Sequence, residues 1–243
     1  MPGGAPYSSG VGVDLLRVDS SRNANPTARK RETLEEKSRR ANALASRLAT
    51  LYGDVECPLS HRNTFELLIA VILSAQCTDA AVNKVTPALF ERYPTPTALA
   101  DAAISDIEFL IRTLGLFHAK AKSLKRCGQR LVTEFDGAVP SAMDDLTRLA
   151  GVGRKTANVI RGHAFNFPGI AVDTHCGRLS RRLGLSRQQD PVKVEKDLAR
   201  LLPPAQWTGF SHRLIIHGRR VCAARKPACA RCALSDLCPS SAA

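Results

Sequence analysis

Aromatic side chains are scarce in this sequence: eight Phe, three Tyr and one Trp, or 5% of 243 residues. That scarcity argues against stacking on single-stranded bases as the main binding mode. Long apolar runs are also missing. The longest, Leu67 to Leu73, is far short of the ~20 residues a membrane span needs. The N-terminus has no apolar block of signal-peptide length. These absences predict a soluble, cytoplasmic chain (nucleoid-associated if bacterial) with no membrane partner. Acidic residues are sparse toward the C-terminus. Residues 151–243 carry 16 basic and 5 acidic side chains, a net of +11, whereas residues 31–150 carry 15 of each. Residues 1–30 add 4 basic and 2 acidic, and the whole chain stands at +13. A basic half beside a neutral half is the footprint of a polyanion binder. The bland alternative is a general solubility charge. A basic membrane-surface helix is disfavoured, because the charge is not confined to one amphipathic stretch.

What is present reads as globular and helical. The apolar fraction of 44% is ordinary for a folded domain, and the length suits two modest domains or one large one. Residues 1–30, rich in Gly, Ser, Pro and Asn, lack periodicity and are expected to be a disordered tail. Leu34, Ala41, Leu44, Ala45, Leu48, Leu51 and Tyr52 recur at helical spacing, which predicts a helix from Glu32 to Tyr52 ended by Gly53. Thr64 to Ala75 is apolar nearly all round and predicts a buried helix. Further helices are predicted over Ala80–Tyr93, Ala98–Ala103, Ser105–Leu114, His118–Phe135, Ala142–Ala150, Arg154–Phe165, Thr174–Leu183, Pro191–Leu202 and Phe210–Cys222, separated by Gly and Pro breaks. No segment alternates with period two for long enough to be a strand. The predicted fold class is all-α.

Of eight cysteines, four keep close company: Cys222, Cys229, Cys232 and Cys238, spaced C-x6-C-x2-C-x5-C. Clustered thiols in a cytoplasmic chain are more often metal ligands than disulfide partners. Four thiolates can close a shell around zinc or hold an iron–sulfur cluster. The single C-x2-C pair tilts the choice toward iron–sulfur and leaves zinc open. Arg225, Lys226 and Arg231 lie in the same loop and would make its edge attractive to phosphate. Cys57, Cys77, Cys127 and Cys176 are isolated and read as small buried hydrophobes.

The stretch from Ser141 to Ala157 holds most of the functional information. Ser141 with Asp144 reads as a capping box that starts a helix. Gly151-Val152-Gly153 turns the chain, and Arg154 opens a second helix. Two short helices joined this way form a helix–hairpin–helix, in which glycines let backbone amides approach a phosphate at the second helix's N-terminus. A plain αα-turn is the alternative. Lys155 lies in the first turn, beside Arg154 and the positive end of the helix dipole, where an ammonium is disfavoured and a free amine easier to reach. It is a candidate nucleophile, but on these grounds alone a phosphate contact is the favoured reading. Asp173, between an apolar approach and a helix, reads as an N-cap and as a carboxylate facing Lys155.

At this point the residues resemble a family. Leu149-Ala-Gly-Val-Gly-Arg-Lys-Thr-Ala157, Val172-Asp-Thr-His175 and the terminal four-cysteine loop are similar to the endonuclease III family. So are Phe65-Glu-Leu-Leu-Ile-Ala-Val-Ile-Leu-Ser-Ala-Gln-Cys-Thr-Asp79 and Leu114-Gly-Leu-Phe-His-Ala-Lys-Ala121. The likeness runs from about Arg31 to Pro239. It implies a two-domain helix-hairpin-helix DNA glycosylase fold: a six-helix barrel over residues 57–167, and an iron–sulfur cluster domain from residues 31–56 plus 168–243. It implies a bifunctional DNA glycosylase and abasic-site lyase, acting as a monomer on duplex DNA containing oxidised pyrimidines or abasic sites. Lys155 would form the Schiff base that drives β-elimination, with Asp173 assisting. Gln76 would fill the gap left by the extruded base and Leu116 would wedge the opposite strand. Gly151, Val152, Gly153, Arg154 and His175 would contact DNA, and Cys222, Cys229, Cys232 and Cys238 would hold a [4Fe–4S] cluster. Ala150, where the family usually has proline, and Cys77, where a smaller residue is common, depart from the pattern. A related mismatch adenine glycosylase lacks the lysine at position 155. A non-catalytic DNA-binding or redox module would leave Lys155 and Asp173 idle.

Overall fold

In the computed structural model, which describes residues 32–54 and 56–242, local chemistry sets the helix ends. Thr33 opens α1 (Leu34–Tyr52) with a capping box: its hydroxyl accepts the Glu36 N–H, and the Glu36 carboxylate accepts the Thr33 N–H at 2.8 Å. Gly53 closes α1 at φ +63°, donating its N–H to the Ala49 carbonyl. Side-chain oxygens of Asn63, Thr78 and Thr95 cap α2 (Thr64–Leu73), α3 (Asp79–Arg92) and α4 (Pro96–Asp101). Then come α5 (Ile104–Ile111), α6 (Phe117–Phe135), α7 (Met143–Arg148) and α8 (Arg154–Ala164). The chain ends with α9 (Thr174–Arg182), α10 (Pro191–Leu201), α11 (Trp207–Arg220) and short 3-10 turns. No strand occurs among the described residues. The expected disordered tail, residues 1–30, lies outside them. No helix among them is long and apolar enough to cross a membrane.

The capping box expected at Ser141 and Asp144 does not form. Ala142 is the N-cap of α7, with no side-chain cap, because Ser141 stands one residue too early. Its carbonyl instead accepts Arg161 Nε of α8 at 3.2 Å, and Asp144 and Asp145 are left to favour the helix's positive end.

Residues 33–243 form one compact unit with two hydrophobic clusters. The first is built on α2, whose Phe65 to Leu73 are all buried and which packs against α3, α6 and α8. Even Glu66 is buried there. Burial pushes its carboxyl up, but the Arg62 guanidinium (2.6 and 2.9 Å) and backbone N–H (2.7 Å) more than offset this and hold it below the usual range. The second cluster joins Leu44 and Leu48 of α1 to Leu179, Val194, Leu198, Phe210 and Leu214 of α9–α11. Fully burying one such leucine contributes about 1.5–3 kcal/mol. Ser38 Oγ donates to the Leu201 carbonyl at 2.7 Å, and Arg47 Nη1 to the Ala233 carbonyl at 2.9 Å. The N-terminal helix is thereby fastened to the C-terminal helices and the cysteine loop.

Candidate active site and thiol centre

The hairpin between α7 and α8 uses its two glycines differently. Gly151 has φ +83°, and a Cβ there would lie 2.9 Å from Ile72 Cγ2, so backbone angle and space both require glycine. Val152 turns inward, 6% exposed, and its N–H is taken by the Leu149 carbonyl at 3.1 Å. Gly153 faces open space and starts α8 with no side-chain cap. The first amides of α8 therefore point outward, toward any anion placed there. Arg154 stands at the same end, but its guanidinium forks onto both Glu195 carboxylate oxygens at 2.8 Å. Its charge is already matched inside the protein. Lys155 follows and is exposed.

Asp173 is the N-cap of α9; its Oδ1 accepts the Cys176 N–H at 2.8 Å. The strand-like approach to it is fastened on both sides. Asn158 of α8, buried, donates Nδ2 to the Ile170 carbonyl at 3.0 Å. Across the gap, Ser211 Oγ of α11 accepts the Ala171 N–H at 3.2 Å, and Thr208 Oγ1 accepts the Gly169 N–H at 3.4 Å. Lys155, Asp173 and Gln76 line one cavity of about 520 Å³, a size ordinary for a ligand site. Behind them the Cys176 thiol is pushed up to about 12 by burial, with Asp173 adding to the rise and Lys155 opposing it. Both charges are thus felt at one buried point.

Two residues not singled out from the sequence line the same cavity: His163 of α8 and His212 of α11, edge to face with ring centroids 5.3 Å apart. Burial, then His163 and Arg219, bring His212 down to about 4, against Asp79 and Asp173. Burial, then His61, lowers His163. At neutral pH the pair offers uncharged donors and acceptors. Asn158, Ser211 and Thr208 were missed as well. None belongs to a local motif; their one sequence signal is a polar side chain on the apolar face of a helix.

Gln76 (φ +56°) and Leu116 (φ +59°) are exposed and left-handed, which is uncommon for residues other than glycine. Leu116 is 60% exposed and sits at the N-cap of α6, outside the cavity lining. His175 also lies outside it, with Nδ1 3.2 Å from Arg178 Nη2.

Residues 69–204 match the HhH-GPD superfamily of base excision DNA repair proteins. Endonuclease III of Synechocystis sp. is 50% identical over 208 residues, 85% of this chain and 95% of the relative. That of Bacillus subtilis is 45% identical over 193 residues, 79% and 88%. The chain belongs to the endonuclease III family. A solved structure of a trapped endonuclease III–DNA covalent intermediate superposes with a TM-score of 0.79 at 44% identity, covering 84% of this chain and 96% of that one. A non-covalent endonuclease III–DNA complex matches equally well. The all-α fold is accordingly that of the helix–hairpin–helix glycosylases, and the protein is a base excision repair enzyme, a DNA glycosylase and abasic-site lyase.

In this endonuclease III family member the four clustered cysteines surround a small cavity of about 50 Å³ beyond α11. Among the described residues, no three His, Cys, Asp or Glu converge closely enough for a single ion. The cavity exceeds the ~10–15 Å³ that one water needs, so the donors suit a group of several atoms. Burial, then the other three cysteines, raise the Cys232 thiol. Four thiolates here would repel one another without a cation between them. Arg182 braces the loop: Nη1 donates to Cys222 Sγ at 3.2 Å and to the Ala223 carbonyl at 2.7 Å. Cys232 Sγ lies 3.4 Å from His217 Nε2, whose Nδ1 meets the Tyr52 hydroxyl at 2.7 Å. Arg225, Lys226 and Arg231 are exposed on the loop's outer edge. Of the isolated cysteines, Cys127 and Cys176 are buried as expected, whereas Cys57 and Cys77 are half-buried.

Proposed function

We propose that this enzyme excises oxidised pyrimidines from duplex DNA, with Lys155 as nucleophile, and cleaves the strand 3′ to the abasic site. The observation that carries the reading is the shared cavity of Lys155, in the first turn of α8, and Asp173, at the N-cap of α9. The reacting sugar carbon is inaccessible in a stacked duplex, so the nucleotide must be extruded into that cavity. Lys155 Nζ attacks C1′, the glycosidic bond breaks and the base leaves, taking up a proton from water. Asp173 takes the proton from the attacking nitrogen and balances positive charge on the sugar. The sugar ring opens to the Schiff base, loss of a C2′ proton follows, and the C3′–O bond breaks. A trapped covalent intermediate of a relative with DNA supports this route.

Gln76 would fill the gap and Leu116 wedge the opposite strand, a reading supported by their exposure and left-handed backbones. The Gly153 amide and the first amides of α8, with Gly151 and Val152 shaping the turn, would receive a phosphate, and Arg154 and His175 would flank it. A barrel over residues 57–167 and a cluster domain from residues 31–56 and 168–243 are supported by the two hydrophobic clusters. Cys222, Cys229, Cys232 and Cys238 would hold a [4Fe–4S] cluster whose iron–thiolate bonds pin the C-terminal loop. The working form is a monomer.

Borohydride trapping on damaged duplex tests the chemistry. Lys155→Gln is expected to abolish the covalent adduct while lesion binding survives. Asp173→Asn can still accept the capping bond, at a cost of about 1 kcal/mol or less, yet turnover should fall by orders of magnitude. An adduct formed by Lys155→Gln would sink the mechanism, and normal turnover by Asp173→Asn would reduce that residue to a cap.

A further inference from the structure

One buried amine has no part in that chemistry. Lys120, in the first turn of α6, is 5% exposed, and its Nζ lies 2.8 Å from the sulfur of Cys77 on the loop between α2 and α3. Its backbone N–H donates to the Leu116 carbonyl at 3.0 Å, and Cys77 directly follows Gln76. The pair therefore joins, side chain to side chain, the loop that carries Gln76 to the first turn of α6, whose N-cap is the left-handed Leu116. A thiol sulfur is a weak acceptor for a buried ammonium, whereas a thiolate is both a charge partner and the nucleophilic form of cysteine. Cys77 is half-buried, whereas Lys120 is 5% exposed.

We propose that Cys77 and Lys120 are a modification site at which a hydroperoxide converts their contact into a covalent sulfur–nitrogen bond between the Gln76 loop and the start of α6. From the thiolate–ammonium form, the sulfur attacks one oxygen of hydrogen peroxide and the O–O bond breaks. Sulfur is oxidised by two electrons to the sulfenic acid, and the departing hydroxide takes a proton from Lys120 and leaves as water. The freed amine then attacks the same sulfur, the S–O bond breaks, and the second hydroxide takes an amine proton to leave as water. Condensation of a sulfenic acid with a nearby nitrogen is established cysteine chemistry, here offered a side-chain amine in contact. On the reading that Gln76 and Leu116 enter the duplex, the bond would hold the Gln76 loop and the start of α6 at one spacing and weaken lesion binding until a thiol reductant cleaves it. The bond itself does not depend on that reading.

The test treats the whole protein with hydrogen peroxide, alkylates remaining thiols, and maps peptides by mass spectrometry. The expected product is a joined peptide pair containing Cys77 and Lys120, lighter than the two separate peptides by two hydrogen atoms and split by dithiothreitol. Cys77→Ser and Lys120→Arg should not give it. Treated wild-type protein should bind lesion duplex several-fold more weakly and recover with dithiothreitol. Treated Cys77→Ser should keep the affinity it had before treatment, which separates the effect from any oxidation at Cys222–Cys238. Recovery of Cys77 only as the alkylated thiol, or only as sulfinic or sulfonic acid, would overturn the proposal. A joined pair with unchanged duplex affinity would uphold the bond and remove the duplex-probing role of Gln76 and Leu116.

Discussion

Gly151 and Gly153 are two positions apart, yet their surroundings demand opposite outcomes on substitution. Gly151→Ala meets Ile72 at 2.9 Å with φ at +83°, and the left-handed backbone alone costs about 1–2 kcal/mol. A clear drop in the urea midpoint should result. Gly153→Ala enters open space at an N-cap position where alanine costs at most about 1 kcal/mol, so its loss of stability should be the smaller of the two and its main effect on duplex affinity. Equal unfolding midpoints for the two variants would remove the packing explanation. His212 gives a pH signature. Its folded value near 4 lies below the ordinary 6.5, so the unfolded chain takes up a proton first as pH falls. The neutral ring therefore stabilises the fold fully above pH 6.5, and that contribution, about 3 kcal/mol at most, is lost between pH 6.5 and 4. His163, Arg219, Asp79 and Asp173 face it. His212→Gln should flatten the stability profile over that window, and an unaltered slope would show that the burial of this imidazole is not felt. Neither histidine was legible in the sequence, because α8 and α11 bring them together from positions far apart.

The N-terminus of α8 gathers several hairpin residues at one end of a single helix, and Arg154 shows what local reading misses there. From sequence it is a free cation beside Lys155; in the fold it is forked onto Glu195 of α10. This pair is partly exposed, so a double-mutant cycle should assign it no more than about 1 kcal/mol of stability. Its larger effect should be on DNA. Glu195→Gln releases the guanidinium and removes a negative charge, so it is expected to tighten binding to damaged and undamaged duplex alike and steepen the salt dependence. Unchanged affinity and slope would place Arg154 away from the phosphates. The other helices were read well where periodicity or a breaker was strong. α1, α2 and α9 sit within two residues of expectation. The false capping box at Ser141 failed because α7 begins one residue later, with Ala142 as its N-cap, and the Ser141 carbonyl accepts a side chain of α8 instead.

Across the molecule, the two hydrophobic clusters should not melt alike. The cysteine loop contributes Leu234 to the second cluster and is tied to α1 through Arg47, which pairs with Asp236. Pure protein is expected to be yellow-brown, with about four iron atoms per chain. Serine in place of Cys222, Cys229, Cys232 or Cys238 should release iron and expose amides of α1 and α9–α11 to hydrogen exchange before those of α2. A colourless protein carrying one zinc, or uniform exchange in the variants, would overturn this account.

The amino-acid sequence by itself determined the all-α class, the hairpin with its lysine, the capped aspartate and the cluster of four thiols. Each depends on neighbours in the chain: helical periodicity, a glycine turn, an N-cap offset, ligand spacing. Only the tertiary structure decided what each charge faces. It paired Arg154 with Glu195 and set Lys120 against Cys77. It also fastened the approach to Asp173 through Asn158 and Ser211, and buried His212 beside His163. A side chain's burial and partners are fixed by helices that meet from distant parts of the chain, and no local pattern records that meeting.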